Sequence, residues 1–240
     1  MSQDKRAEIQ FFDHFEETYD VFTPASKARI IDMAVSKGHF QRGQIIADLG
    51  CGAGVFTKEL HERGLQVFGM DISSGLAKLA RASMPDVAFL VGDLEFMPVK
   101  SNSLDAIMLM GVIHHFPEPV RMAQEIFRIL KPGGRFVAFD PNRANPFFYL
   151  YRVKASPFYS SVGVTENEEP VNAAIVARTF EKVGFRVETD FLSGLRYRYV
   201  ESPLARIVLP IYNFVEGILF SPRFLTKHSA FVVTTSVKPG

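Results

Sequence analysis

One glycine-rich segment, residues 44–57, constrains the fold of this chain more than any other part of the sequence. An apolar run at residues 45–47 ends at Asp48, three glycines follow at alternate positions, and a helix-compatible pattern begins at Val55. Glycine suits a backbone that must bend sharply and approach a ligand closely, and a new helix presents unpaired N–H groups at the same place. The segment therefore predicts a strand, a turn and a helix around a crevice for a nucleotide-like cofactor.

The spacing of these glycines bears on which cofactor the crevice accepts. The dinucleotide fingerprint is G-x-G-x-x-G, whereas here Gly50, Gly52 and Gly54 alternate and Asp48 precedes them. Turns of this type also occur as plain strand-to-helix connections without a ligand. The glycines alone therefore do not identify a cofactor, and the later motifs have to decide.

Two carboxylates follow the next predicted strands. Asp71 ends the apolar segment 65–71 and lies 21 positions after Gly50, and Asp93 follows the strand predicted at residues 87–91. An acidic residue about 20 positions after such a turn can accept hydrogen bonds from both hydroxyls of a ribose. Ligands of open α/β sheets bind at the carboxyl ends of the strands, so both carboxylates are expected at the binding edge.

Further motifs follow in a fixed order, and together they resemble a known family. The turn Asp48-Leu-Gly-Cys-Gly-Ala-Gly54 is followed by Gly92-Asp-Leu94, by Ser103-Leu-Asp105, by His114-His-Phe116 and by Leu130-Lys-Pro-Gly-Gly134. This series resembles the class I S-adenosylmethionine-dependent methyltransferases, especially their small-molecule and lipid-quinone branch. The resemblance covers roughly residues 45–139 and implies S-adenosyl-L-methionine as the cofactor.

The resemblance also implies which residues surround that cofactor. Asp71 would bind the ribose, Asp93 would accept from the exocyclic amine of adenine, and Ile72 and Leu94 would flank the adenine ring. Cys51 is interpreted as a small side chain within the turn and not as a nucleophile. The full set of expected cofactor-binding residues is Asp48, Gly50, Cys51, Gly52, Gly54, Asp71, Ile72, Asp93, Leu94, Met110 and Gly111.

Length, composition and the resemblance together predict the fold class. The chain has 240 residues and 47% of them are hydrophobic, which is enough for one large α/β domain. We expect a Rossmann-like, doubly wound sheet of seven strands, mostly parallel with the last strand antiparallel, and helices on both faces. Residues 1–40 are expected to form a helical cap, and residues 143–170 and 196–228 to be insertions on the acceptor side of a single domain.

Charge, cysteine content and hydropathy exclude several partners and compartments. The 27 basic and 26 acidic residues give a net charge of +1, without the basic patch that nucleic acid requires. The single cysteine allows no intrachain disulfide, residues 1–10 are too polar for a signal peptide, and no apolar run is long enough to span a membrane. A cytoplasmic protein is the simplest interpretation.

Aromatic residues outside the motif-bearing half predict an apolar or aromatic small-molecule acceptor. They are concentrated in a helix predicted at residues 4–21, in residues 147–159 and in residues 197–212. Most aromatic side chains of such a stripe are expected to pack against the sheet. The residues expected to contact the acceptor are Phe15, Tyr19, Asn142, Phe147 and Tyr151.

Methyl transfer from a sulfonium is an in-line displacement, so alignment of donor and acceptor supplies much of the rate. If the acceptor carries a hydroxyl, phenol or enol, a base must remove its proton, and histidine is best matched to neutral pH. His115 is the first candidate for this base and His114 the second. We expect no metal site, because no spacing of histidines and acidic residues resembles a ligand set.

Residues 203–225 follow helical spacing with an apolar face, while Asn213 and Glu216 interrupt any membrane span. A pocket wall or a homodimer contact is favoured over a core helix or a lipid-touching surface, which both stay open.

Two other functional classes also stay open. A nicotinamide-dependent oxidoreductase would share the glycine turn and Asp71, and a non-catalytic S-adenosylmethionine-binding protein would lack an acceptor cavity.

Overall fold

The computed structural model describes residues 3–14, 20–197, 203–220, 222 and 224–240, and its centre is one seven-stranded sheet. The strands are β1 (Ile45–Leu49), β2 (Gln66–Asp71), β3 (Phe89–Val91), β4 (Leu104–Met110), β5 (Leu130–Pro141), β6 (Arg186–Leu192) and β7 (Phe231–Val237). The helices are α1 (Lys5–Asp13), α2 (Pro24–Gly38), α3 (Val55–Glu62), α4 (Ser74–Ser83), α5 (Val120–Ile129), α6 (Pro146–Arg152), α7 (Ala173–Val183) and α8 (Pro203–Leu219).

The sheet has the order β3-β2-β1-β4-β5-β7-β6. Strands β1 to β5 pair in parallel, and β7 pairs antiparallel with both β5 and β6. The direction of winding reverses between β1 and β4, and such a reversal opens a crevice at the carboxyl ends of the strands. The predicted Rossmann-like fold with an antiparallel last strand is confirmed.

Both faces of the sheet are buried, which explains why the central strands are nearly continuous apolar runs. Side chains alternate between the faces, so Ile46 of β1 joins one buried cluster, and Ala47 and Leu49 join the other. The first cluster is closed by α2 through Ile30, Ile31 and Ala34, and the second by α5 through Met122, Ala123 and Ile126. The two clusters hold β1 and β4 rigidly below the crevice.

Several predicted boundaries differ from the observed ones for local reasons. A glycine after the apolar pattern of residues 30–34 predicts a cap at Gly38, but Gly38 lies within α2, and the left-handed capping residue is His39 with φ 52°. The apolar run at residues 135–139 predicts a strand that starts at Arg135, but β5 begins at Leu130, because Leu130 already pairs with Leu104 of β4. Helix α1 ends at Asp13, before the predicted end at Val21.

The segment predicted as an insertion at residues 143–170 contains a short helix and has anchors of its own. Asn145 caps α6 by accepting from the Phe147 and Phe148 N–H groups at 3.1 Å, and its amide donates to the His228 carbonyl at 2.9 Å. The Tyr212 hydroxyl donates to the same Asn145 side chain at 2.7 Å. Asn145 thus ties the insertion to α8.

The sequence suggested that the apolar face of α8 forms a wall of the pocket, but in the structure this face points outward. Its buried residues include Asn213 and Glu216, and Glu216 accepts from the Gly194 and Ala230 N–H groups at 2.8 and 2.7 Å. Its apolar side chains face outward, with exposed fractions of 47–71% at Ile207, Ile211, Phe214, Val215, Ile218 and Leu219. Among the described residues, no helix combines the length and the apolarity needed to cross a membrane.

Two glycines with positive φ, one in the turn and one in β5, separate the effect of backbone strain from that of packing. Gly54 and Gly133 have nearly equal φ values of 79° and 78°. A Cβ on Gly54 would lie 2.6 Å from Met84 Cε and 3.3 Å from Ala80 Cβ, whereas a Cβ on Gly133 would meet nothing within 4 Å. Gly54 therefore carries both constraints and Gly133 only the strain.

We expect Gly54→Ala to lower the free energy of unfolding by about 2–4 kcal/mol, and Gly133→Ala by about 1 kcal/mol. The difference is the overpacking between α3 and α4, which only the first variant causes. Urea unfolding of the two variants and the unaltered protein measures it. Equal losses in the two variants would contradict this explanation.

Candidate functional site

A cavity of about 400 Å³ lies at the carboxyl ends of the central strands. It is lined by every predicted cofactor residue except Gly54, namely Asp48, Gly50, Cys51, Gly52, Asp71, Ile72, Asp93, Leu94, Met110 and Gly111. Gly54 instead packs against α4, as its close neighbours Met84 and Ala80 indicate. The motifs that were separate in sequence thus meet around one space.

The glycines of the turn leave this space open. Gly52 has φ 54°, and a Cβ on it would have only Leu76 Cδ1 nearby, at 3.9 Å. A Cβ on Gly111 would likewise approach nothing closer than His114 Cε1 at 3.6 Å. Side chains at these two positions would therefore extend into the volume that a bound molecule occupies. Gly50 differs, because its Cβ would clash with Val112 Cγ2 at 2.6 Å.

Asp71 is fixed at the rim of the cavity by two backbone donors. Its Oδ2 accepts from the Gly52 N–H at 2.7 Å, and its Oδ1 accepts from the Ser73 N–H at 2.9 Å. A carboxylate has about four acceptor positions, so two remain for the hydroxyls of a ribose. Burial raises the pKa of Asp71, and the two backbone donors oppose that shift.

Asp93 is bridged to α1, which the sequence did not predict. Lys5 donates to Asp93 Oδ2 and lies 2.6 Å from Glu95 Oε2, while the Glu95 N–H donates to Asp93 Oδ1 at 2.9 Å. Each Asp93 oxygen keeps a second acceptor position, so an amine can still be bound. Lys5 thus joins α1 to Asp93 and Glu95 through ion pairs.

The amino end of α3 is the natural position for a negative group of the ligand. Helices α1, α2, α4, α6 and α7 each have an N-terminal side-chain cap, whereas α3 and α5 have none, and the residue that precedes α3 is Gly54. Its first residues, Val55 and Phe56, line the cavity. Uncapped N–H groups and the helix dipole favour an anion there, such as the carboxylate of an amino acid. Together with the glycine cradle and the two rim carboxylates, this end of the cavity fits an amino-acid-bearing nucleoside.

Two buried groups beneath the turn are electrostatically perturbed. Burial, reinforced by the charge of Asp71, raises the pKa of Asp48 to about 7, although the Thr57 hydroxyl donates to Asp48 Oδ2 at 2.6 Å. Burial and the same two carboxylates raise the pKa of the Cys51 thiol well above its usual value. A thiol that stays protonated is a poor nucleophile, which supports the structural interpretation of Cys51.

The same cavity also contains a compact polar group that we call the histidine cluster, and we refer to this part as the acceptor end and to the part around the glycine turn as the donor end. It consists of Glu8 from α1, His114 and His115 from a 3₁₀ turn after β4, Asp140 at the end of β5, and Glu168 from the insertion. Asp140 Oδ1 lies 2.9 Å from His114 Nδ1 and 3.1 Å from the His114 N–H. Glu168 Oε1 lies 3.7 Å from His114 Nε2, and Glu8 Oε2 lies 3.2 Å from His115 Nδ1.

Glu8 is a buried carboxylate with three polar neighbours. It accepts from the Thr165 hydroxyl and from the Asn167 amide, both at 2.6 Å. Burial favours a raised pKa, but His115 and these two donors outweigh it, so the pKa of Glu8 is lowered. Burial favours a lowered pKa for His115, but Glu8, Glu168 and Asp140 outweigh it, so the pKa of His115 is raised. Glu8 and His115 thus stabilise each other's charged forms.

Three of the five predicted acceptor residues do not line the cavity, and the other two are outside the described part of the chain. The described cavity lining does not include Asn142, Phe147 or Tyr151, and Phe15 and Tyr19 lie outside the described residues. The Asn142 amide is used up by the Lys227 and Ser229 carbonyls at 2.9 and 2.8 Å. Phe147 stacks on Tyr151 and lies 4.8 Å from the Tyr212 ring, so it joins the insertion to α8.

Sequence reasoning missed most of the residues that line the acceptor end. Glu8 and Glu168 lie far from any motif, and neither has a signature that distinguishes it from a surface glutamate. The aromatic wall comes from five separate segments and consists of Phe22, Phe139, Phe148, Tyr197 and Phe231. Phe148 and Tyr197 lie in aromatic segments that the sequence analysis singled out, whereas the other three were missed. For these missed residues, the one available signal in the sequence was the position of Asp140 at the end of a predicted strand.

The buried Asp48 makes a testable prediction about pH. In the folded protein it binds a proton below about pH 7, whereas in the unfolded chain it does so only below about pH 3.9. The folded state thus holds more protons between these values, so the free energy of unfolding falls as pH rises through this window. Asp48→Asn keeps an oxygen for Thr57, and we expect it to be about 2–4 kcal/mol more stable than the unaltered protein at pH 8.

Urea unfolding at pH 5 and pH 8 tests this expectation. The stability difference between the two proteins should be small at pH 5 and large at pH 8, because other titrating groups cancel in the comparison. A difference that does not change with pH would show that Asp48 is ionised at both values.

Comparison with known proteins matches the same part of the chain that carries the motifs. Residues 47–138 match the family described as "Methyltransferase domain". A demethylmenaquinone methyltransferase of Renibacterium salmoninarum is 29% identical over 139 residues, which are 57% of this chain and 59% of that protein. The matched region covers less than two thirds of the first curated relatives, 59% of one and 37% of another.

Solved structures share the fold across nearly the whole chain. A S-adenosylmethionine-dependent methyltransferase from Mesorhizobium loti has a TM-score of 0.63 and 18% identity, covering 90% of this chain and 99% of that one. Phosphoethanolamine N-methyltransferase 2 of Haemonchus contortus, solved with S-adenosyl-L-methionine, has a TM-score of 0.66 and 18% identity, covering 98% of this chain and 57% of that one. The domain match over residues 47–138, the ordered motifs and the curated relatives support a class I S-adenosylmethionine-dependent methyltransferase, and the solved structures share its fold.

Proposed function

We propose that this protein transfers a methyl group from S-adenosyl-L-methionine to a small apolar or aromatic acceptor. The observation that carries the proposal is the continuity of the cavity. One space is lined by the rim carboxylates Asp71 and Asp93 and also by His114, His115 and Glu168 of the histidine cluster. A donor held at one end would therefore face an acceptor held at the other, without an intervening wall.

The acceptor class is inferred from the aromatic wall between the two ends. The Phe139 and Phe231 rings stack at 4.4 Å, and the Phe22 and Tyr197 rings stack at 5.3 Å. Aromatic walls with a few polar groups suit ligands that are mainly apolar with a polar reacting atom. The menaquinone precursor named for one relative is of this kind.

We also propose that the chain acts as a single domain whose segments 1–40, 143–170 and 196–228 shape the acceptor end. Phe22, Phe148 and Tyr197 line the cavity from these three segments, one from each. Segments outside the motif-bearing half are free to differ between relatives, so they are suited to set acceptor specificity.

Within such a complex, the chain's own residues would mainly align the reactants. In-line displacement requires the acceptor atom to lie about 3–3.5 Å from the methyl carbon, and enclosure by the aromatic wall would exclude water from the reaction. The histidine cluster would remove the proton of the acceptor, with His115 and His114 as the proposed bases. The bound S-adenosylmethionine supplies an already activated methyl group.

We expect titration calorimetry to detect binding of S-adenosylmethionine and of its demethylated product. Asp71→Asn should weaken both by roughly 10- to 100-fold, because the ribose hydroxyls lose a charged acceptor. Asp190→Asn is the matched control, since Asp190 is half exposed on β6 and pairs with Lys37 away from the cavity. Incorporation of labelled methyl from the donor into a metabolite extract would then reveal the acceptor.

Three outcomes would contradict the proposal. Failure to bind the donor, or equal affinity in Asp71→Asn and the unaltered protein, would remove the assigned donor site. Binding of a nicotinamide cofactor with a change in its fluorescence would favour an oxidoreductase. Donor binding without any labelled product would favour a non-catalytic S-adenosylmethionine-binding protein.

We further propose that the exposed face of α8 is the contact surface of a homodimer. The exposed apolar side chains on successive turns form one continuous stripe, and patches larger than a few hundred Å² mark interaction surfaces. Standard interfaces bury roughly 800 Å² per partner, which a five-turn helix with a two-residue-wide apolar stripe can supply. Nucleic acid is not proposed as a partner, given the near-zero net charge.

The double variant Ile211→Glu, Ile218→Glu should be monomeric in light scattering, whereas the unaltered protein should be dimeric. Charges on both residues would be buried without partners in the dimer. Ile175→Glu is the control, because Ile175 is 60% exposed on α7, outside this stripe. A monomeric unaltered protein that sediments with lipid vesicles would contradict the dimer and assign the stripe to a membrane surface.

A further inference from the structure

The histidine cluster contains more ligand-forming groups than proton transfer needs. One ligand atom from each of His114, His115 and Glu168 lies within 4.8 Å of the other two, and all three residues line the cavity. We propose that these three side chains bind a divalent transition-metal ion of the Zn²⁺ type, at the acceptor end of the cavity. The proposal rests on the proposed function for its catalytic meaning but not for the binding itself, and it replaces the sequence-based expectation of no metal.

His114 has the arrangement of a metal ligand. Its Nδ1 lies 2.9 Å from Asp140 Oδ1, so the nitrogen left for a metal is Nε2, which lies 3.7 Å from Glu168 Oε1. Two ligand atoms at about 2.0–2.1 Å from a tetrahedral zinc ion lie roughly 3.3 Å apart. The observed separation therefore needs an adjustment of only a few tenths of an ångström. A carboxylate on the far nitrogen is the usual support of a ligating histidine.

His115 repeats this arrangement in an incomplete form. Its Nδ1 is buried and lies 3.2 Å from Glu8 Oε2, yet it makes no well-formed hydrogen bond. A metal on Nε2 would fix the proton on Nδ1, where the Glu8 carboxylate can accept it. Both histidines would then be oriented by a carboxylate behind them, Asp140 and Glu8 respectively.

Glu168 and Glu8 are held in place by a shared loop. One Glu168 oxygen, Oε2, accepts from the Thr165 N–H at 3.2 Å, which leaves Oε1 directed at His114. The Glu169 N–H donates to the His114 carbonyl at 3.1 Å and joins this loop to the histidine turn. Thr165 also donates to Glu8 through its hydroxyl. The ligand set is thus positioned by contacts that exist before any ion binds.

The chemistry of the ligands indicates the type of ion. Two imidazole nitrogens and one carboxylate oxygen suit Zn²⁺ or Fe²⁺, whereas Mg²⁺ prefers oxygen ligands in an octahedron. Three protein ligands would leave a coordination position open, as in catalytic zinc sites, and all three ligand residues line the cavity that would hold the acceptor. We therefore infer an acceptor with a hydroxyl, enol or phenol oxygen that binds the ion directly.

Methyl transfer to an oxygen bound to the ion would involve the release of one proton and one displacement at the methyl carbon. With the ion bound, His114 and His115 would act as ligands and not as the base, so the acceptor O–H would release its proton to water as the oxygen binds the ion, because a bound cation lowers the pKa of an oxygen ligand. The new oxygen–carbon bond would form as the sulfur–carbon bond of the donor breaks, with the bonding electrons left on sulfur. The ion is unchanged in this sequence.

Calorimetric titration of chelator-treated protein with Zn²⁺ tests the site without any assay of activity. We expect one equivalent to bind with saturation, and Co²⁺ to give the intense visible bands of a four- or five-coordinate ion. His114→Ala and Glu168→Gln should each weaken Zn²⁺ binding by more than roughly 10-fold, since loss of even an outer partner costs 10- to 100-fold. Mg²⁺ should bind far more weakly.

Matched controls separate this site from surface binding. Glu166→Gln alters an exposed carboxylate two positions from Glu168, and His61→Ala removes an exposed histidine on α3, so both should bind Zn²⁺ as the unaltered protein does. Glu168→Gln preserves the shape of the side chain, which keeps the test valid if His114→Ala fails to fold. No saturable binding, or equal binding by the unaltered protein and Glu168→Gln, would overturn the proposal and leave an adventitious ion only.

The same samples separate this proposal from the proposed function. S-adenosylmethionine titrated into the Zn²⁺-loaded and the chelator-treated protein should bind to both, because the donor residues lie at the other end of the cavity. Donor binding without saturable Zn²⁺ binding would overturn the metal site alone. Zn²⁺ binding that follows the predicted variant pattern, without donor binding, would support the metal site and overturn the proposed function.

Discussion

The pairing of the glycine turn with the end of β2 is the interaction on which the rest of the site depends. The Gly50 and Cys51 N–H groups both donate to the Met70 carbonyl, and the Gly52 N–H donates to the Asp71 side chain. These contacts fix the turn, the Asp71 carboxylate and the start of α3 relative to one another. They require a backbone with positive φ at Gly50 and Gly52, which explains why residues with side chains are disfavoured there.

The acceptor end is built on a different principle, because its residues come from distant parts of the chain. Glu8 lies more than 150 positions before Thr165 and Asn167, yet it accepts from both. Lys5 from the same helix reaches Asp93 at the donor end. Helix α1 therefore contacts both ends of the cavity, so a change in its position would affect donor and acceptor binding together.

Helix α8 shows that the polar residues of an apolar helical pattern can be the buried ones. Glu216 interrupts an apolar pattern and would ordinarily mark the solvent-facing side of a helix. Here it is buried because two backbone N–H groups, from Gly194 and Ala230, need an acceptor at that place. The apolar residues are consequently displaced to the surface, where the proposed dimer would cover them. The predicted pocket wall failed for this reason, while the homodimer and the cytoplasmic location stay predictions.

The sequence by itself determined the sheet, its antiparallel last strand and nearly all of the lining predicted for the donor end. Each of those residues sits at a fixed offset from a strand end, and strand ends are set by local patterns of apolar residues and glycine. Only the tertiary structure decided that Glu8, Asp140 and Glu168 surround the two histidines, and that Asn142 and Phe147 do not line the cavity. Such groupings depend on how helices and insertions pack across long sequence separations, and no local pattern encodes that packing.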